Sequence, residues 1–123
     1  MYLESMSETK TYTGSCHCGK VSYEVTSDLK QILSCNCSMC SRTGALLTFV
    51  PEAQFKLLND GPQTTYLFNR QVIQHLFCNT CGIRGFARGA LPDGTKMVAI
   101  NVRCLDGVDL KGLTITEVDG KSR

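Results

Sequence analysis

Basic runs are missing from this sequence: no two lysines or arginines are adjacent, and 123 residues carry a net charge of only +2. Aromatic residues do not interleave with basic ones either, so the electrostatic and stacking footprint of a nucleic-acid binder is absent. No apolar run approaches the length of a membrane span. The opening stretch Met1-Tyr2-Leu3-Glu4-Ser5-Met6-Ser7-Glu8 carries acids and no apolar signal-peptide core, so a cytoplasmic protein is expected. No Ser-His-Asp or paired-carboxylate arrangement is visible, and no phosphate-binding glycine loop. Long amphipathic helices, internal repeats and linkers are lacking too. What remains is a single domain with 42% hydrophobic and 20% charged residues, ordinary values for a globular chain with a modest core.

Cysteine is abundant: there are eight. In a reducing compartment, closely spaced cysteines are more often metal ligands than disulfides. Seven of the eight fall in C-x-C or C-x-x-C groups, whereas a disulfide framework tends to scatter them. The densest group is Cys35-Asn36-Cys37-Ser38-Met39-Cys40. A disulfide there would leave one thiol odd, while three thiolates on one zinc leave its fourth tetrahedral position open. Open sites do chemistry, which makes Cys35, Cys37 and Cys40 the candidate catalytic residues.

The local patterns predict a mainly β fold of antiparallel sheets with nine or ten short strands and one or two helical turns. Residues 1–9 read as a polar lead-in, 10–119 as the zinc-binding domain and 120–123 as a tail. Cys16 and Cys18 lie at a turn marked by Gly14 and Gly19. Val21-Ser22-Tyr23-Glu24-Val25 alternates with the period of a half-buried strand, and Ile32-Leu33 leads as a short strand into the cysteine-dense group. Ala45 to Val50 reads as a buried strand ended by Pro51, with a helical turn over Pro51–Gln54. Further strands are expected at 55–58, 64–68, 72–77, 83–87, 97–102 and 113–118.

Cys78-Asn79-Thr80-Cys81-Gly82 is a zinc knuckle, two thiolates whose spacing reaches one metal while glycine relieves the turn. Joined to Cys16 and Cys18 it makes a closed four-thiolate site and leaves Cys35, Cys37 and Cys40 as the open one. The rival pairing joins Cys37-x-x-Cys40 to Cys78-x-x-Cys81 as a zinc ribbon and leaves Cys16, Cys18 and Cys35 without a role. Three thiolates on zinc carry a formal charge of about −1, so a neighbouring cation matters for an anionic ligand. Arg42 is the candidate substrate-binding residue, with Arg84 and Arg88 behind it; for all three the alternative is solvated surface charge. His75 reads as a core or edge histidine on the face opposite Cys78 rather than a ligand. His17 is expected to point away from the metal of its neighbours, and Cys104 to be a small buried hydrophobe.

The run Gly14-Ser15-Cys16-His17-Cys18-Gly19, then Cys35-Asn36-Cys37-Ser38-Met39-Cys40 with Gly44, then Phe77-Cys78-x-x-Cys81-Gly82, resembles the glutathione-dependent formaldehyde-activating (GFA) family. That family includes the centromere protein V-like proteins, and the resemblance spans about residues 12 to 110. It implies a zinc-stapled β domain with two zinc ions per chain. Cys16, Cys18, Cys78 and Cys81 would hold the structural ion, and Cys35, Cys37 and Cys40 the second, where glutathione or chemistry is handled. The implied activity is a carbon–sulfur lyase like S-(hydroxymethyl)glutathione synthase, acting on glutathione and formaldehyde or a related small aldehyde. The alternative within the resemblance is a non-catalytic zinc module that binds glutathione or a protein partner. The chain is short beside glutathione-handling members, and segments that would grip a whole tripeptide are expected to be missing.

Overall fold

A computed structural model of the chain describes residues 9–36, 38–67 and 73–119. The expected tail, most of the lead-in, Cys37 and the strand ends at Phe68 and Val72 lie outside the described residues. The fold is mainly β. Ten strands, one short α-helix and three 3-10 turns occur among the described residues.

β1 (Lys10–Ser15), β2 (Val21–Ser27) and β5 (Phe55–Asp60) form an antiparallel three-stranded sheet with β2 in the middle. The second sheet has seven strands in the order β10 (Ile115–Val118), β3 (Ile32–Cys35), β4 (Leu47–Pro51), β9 (Lys96–Asn101), β8 (Phe86–Ala90), β7 (Gln74–Cys78), β6 (Gln63–Tyr66). All its pairings are antiparallel except β10 with β3, which run parallel. The helix α1 (Ser38–Thr43) follows β3. None of the helices in the described residues is long and apolar enough to cross a membrane.

The alternation in β2 is what joins the sheets. Val21, Tyr23 and Val25 are all at most 1% exposed and share a core with Ile32, Val50, Phe86, Val98, Ile100 and Val102. Tyr23, Phe55 and Phe86 form an aromatic cluster across the interface, with ring centroids 4.8–5.7 Å apart. The Tyr23 hydroxyl donates to the Gly85 carbonyl at 3.0 Å, which satisfies a phenol that burial would otherwise penalise. Gly14 is the cross-strand partner of Tyr23, and a Cβ there would lie 2.8 Å from its ring. Glycine is therefore the residue that lets the tyrosine lie against β1.

Three elements differ from expectation. β1 has no counterpart among the expected strands, because Gly14 and the neighbouring turn mask its alternation. The strand expected at 83–87 is Phe86–Ala90 instead, since the Ile83 carbonyl accepts from Cys78 N–H at 3.0 Å and that residue belongs to the knuckle. Pro51 does not stop β4 but forms its last residue, pairing with Met97 and capping the 3-10 turn Glu52–Gln54. Its missing N–H is tolerated at a strand end.

Candidate metal centre

Two turns of the same build bring four cysteines together. In the first, Cys16 N–H donates to the Val21 carbonyl at 3.0 Å, with Gly19 at φ +82° turning the chain. In the second, Cys78 N–H donates to the Ile83 carbonyl and Gly82 sits at φ +80°. Left-handed backbone costs an L side chain roughly 1–2 kcal/mol, so glycine is the residue for both positions. Pairing of β2 with β5, together with the Gly61 N–H to Lys20 carbonyl bond at 2.9 Å, sets the turns face to face.

The Sγ atoms of Cys16, Cys18, Cys78 and Cys81 all lie within 4.8 Å of one another. Cys16–Cys18 and Cys18–Cys78 sulfur distances are 3.6 Å. A disulfide needs about 2.05 Å, whereas a tetrahedron of sulfurs around zinc has edges of about 3.8 Å, the spacing that follows from Zn–S bonds near 2.3 Å. The set therefore suits one metal ion, and its all-sulfur character suits zinc.

Backbone donors are already aimed at these sulfurs. Val21 N–H points at Cys16 Sγ and Thr80 N–H at Cys78 Sγ, both at 3.4 Å. The N–H groups of Cys18 and Ile83 lower the Cys81 thiol to about 6, and that of Cys81 lowers Cys78. Cys18 behaves oppositely. The Lys20 N–H pulls it down, but desolvation and the three neighbouring thiols outweigh that donor and push it up to about 11. A divalent cation offsets the repulsion between thiolates and draws off that last proton.

The structure places the other candidates as follows. Cys35 ends β3 and Cys40 lies in α1, both half-buried, while Cys37 between them is outside the described residues. Gly44 N–H bonds the Cys40 carbonyl at 3.0 Å and ends the helix with φ +69°. Cys35 and Asn36 line a cleft of about 410 Å³ shared with Ser34, Glu117, Val118 and Asp119. Arg42 turns back onto its own helix, donating to the Ser38 carbonyl at 2.8 Å. Arg88 is tied to Glu52 at 3.5 Å and lies 5.3 Å from the ring centroids of Phe55 and Phe86, a packing role. Arg84 lies 2.6 Å from His75 Nδ1, and a guanidinium only donates, so that nitrogen accepts and the proton sits on Nε2. His75 is buried, and burial followed by the nearby Arg84 charge holds it below the usual histidine range. His17 is exposed. Cys104 donates to the Arg84 carbonyl at 3.8 Å and is pushed up to about 11 by burial, then by Cys16 and Cys81. The ribbon pairing does not form here, because Cys78 and Cys81 face Cys16 and Cys18.

The pattern of the glutathione-dependent formaldehyde-activating enzyme family matches residues 11–115. This chain belongs to the GFA family. A solved structure of a Rhodobacter sphaeroides protein is similar in shape, with a TM-score of 0.72 and 28% sequence identity over 85% of this chain and 99% of that one. Membership supports a glutathione-related, zinc-binding function, in keeping with the four-sulfur cluster of this GFA domain.

Two features near the cysteine-dense group were not read from sequence. Arg103 Nε donates to the Gly44 carbonyl at 3.1 Å, placing a cation at the end of α1. Asn36 is bonded through its side chain to Asp119 and through its N–H to the Val118 carbonyl. Neither partnership has a local sequence signal, since the residues involved lie 59 and 83 positions apart.

Proposed function

We propose that this GFA domain is a carbon–sulfur lyase of the S-(hydroxymethyl)glutathione synthase type, joining glutathione to formaldehyde or a related small aldehyde. The supporting observation is a division of labour among thiols. Cys16, Cys18, Cys78 and Cys81 converge on one another, and the C-x-C-x-x-C spacing of Cys35, Cys37 and Cys40 suits a second metal. Cys35 ends β3 beside a cleft and Cys40 lies in the helix that follows, a setting that suits a metal with one position kept for substrate. A zinc ion held there supplies a Lewis acid that favours the thiolate form of a bound thiol.

In the reaction the glutathione sulfur forms a bond to the aldehyde carbon, the carbonyl π pair moves to oxygen, and the thiol proton ends on that oxygen. Nothing is oxidised. Arg42, on the helix that carries Cys40, supplies positive charge for a glutathione carboxylate, leaving its Ser38 contact to do so. The cytoplasm, where thiols are kept reduced, is the setting that suits such a site.

Exchange NMR of glutathione and formaldehyde tests the reading. A catalytic amount of protein should speed exchange between free thiol and hydroxymethyl adduct without moving the equilibrium. A stoichiometric shift with unchanged exchange rate would instead identify a non-catalytic zinc module that binds glutathione.

A further inference from the structure

The strand that delivers the first open-site cysteine is held mostly from one side. On the β4 edge, β3 registers only Leu33 with Leu47. Along its other edge it pairs over its whole length with β10, from Ile115↔Ile32 to Val118↔Cys35. The pairing continues past the strand end: Asn36 N–H donates to the Val118 carbonyl at 3.2 Å, and Asn36 Nδ2 donates to Asp119 Oδ1 at 3.1 Å. Asn36 lies between Cys35 and Cys37, so both bonds act on the backbone that separates two of the three proposed ligands.

We propose that Asn36 and Asp119 are positioning residues, a clasp that holds Cys35 in place by tying the residue after it to β10. The inference rests on the proposed second zinc at Cys35, Cys37 and Cys40, and adds to it a determinant 83 residues away. A three-ligand site has less redundancy than a four-ligand one, so an error in one ligand's position weighs more heavily on it. The clasp touches no sulfur of the closed cluster, whose turns are tied by their own backbone bonds. Its effect is therefore confined to one of two metals.

The experiment is zinc release from the purified, zinc-loaded full chain to a chromogenic chelator. Wild type is expected to lose two equivalents in two phases. Asn36→Ala and Asp119→Ala should each speed the fast phase about tenfold, the lower end for residues supporting a metal's ligands. The slow phase should stay unchanged, and the double variant should be no faster than either single one. Exchanging the partners, Asn36→Asp with Asp119→Asn, keeps one donor facing one acceptor and should restore the wild-type rate. Two equivalents released at wild-type rates from both single variants overturn the clasp alone. So does equal acceleration of both phases, which reports a loosened fold. A single equivalent from wild type overturns the second-zinc reading and the clasp with it.

Discussion

Cys78 and Cys40 have the same side chain but opposite expected consequences when it is changed. Cys78 is 1% exposed and one corner of the four-sulfur cluster. A structural zinc contributes on the order of 10 kcal/mol, comparable with the ~5–15 kcal/mol by which a domain is stable. Cys78→Ser is therefore expected to abolish the cooperative thermal transition. Cys40→Ser should keep a melting temperature close to wild type while losing the proposed activity; equal destabilisation of both variants would merge their roles. His75 offers a test by pH. The unfolded chain protonates this imidazole near 6.5, while the native fold, which buries it beside Arg84, resists until lower pH. Its contribution to stability is thus complete above 6.5 and is lost progressively below it, until the pH has fallen through the lower value at which the folded state protonates. Between pH 7.5 and 5.5 wild type should lose more melting temperature than His75→Gln, and matching losses would show that the imidazole is protonated alike in both states. Cysteine spacing and residue type made the four-sulfur set legible in the sequence. The Asn36–Asp119 and Arg103–Gly44 contacts were not, because a hydrogen bond spanning much of the chain leaves no periodic trace.

Among the elements, β2 and the two cysteine turns were the easiest to read. Alternation in Val21 to Val25 reports burial on one face, and Gly19 and Gly82 mark left-handed positions. β8 was displaced because a knuckle consumes its residues up to the Ile83 carbonyl before a strand can begin, a requirement invisible to strand patterns. β10 was recognised as a strand, but its parallel partner could not be, since its exposed residues carry little facial pattern. β1 depends on a fit between elements rather than on its own composition. Gly14→Ala would push a methyl to 2.8 Å from the Tyr23 ring, a rigid group locked by its bond to Gly85. Overpacking of this kind costs about 1–3 kcal/mol, so chemical denaturation should show that loss with zinc content unchanged. An unaltered midpoint would mean that the Tyr23 ring can shift within its sheet to accept the methyl.

For the molecule as a whole, the closed cluster is a cross-link between the first and the middle thirds of the chain, with Cys18 and Cys78 separated by 60 positions. By chain entropy alone, closing a loop of that size is worth about 4 kcal/mol, as for a disulfide. If the proposed second zinc is held at Cys35, Cys37 and Cys40, titration with a strong chelator proceeds in two stages. The first zinc should leave with the fold intact, and removal of the second should coincide with loss of the near-ultraviolet circular dichroism. Simultaneous loss of both ions and of structure would show that the domain cannot stand without the open site.

The same cross-link imposes a schedule on synthesis. Cys16 and Cys18 leave the ribosome well before their partners, and at about 5–20 residues per second the 60 positions up to Cys78 take roughly 3–12 s to make. Throughout that interval the first turn is half a binding site, able to hold zinc only weakly and exposed to oxidants or a competing metal. The first pair of thiols therefore waits for its second pair until synthesis has passed Cys81.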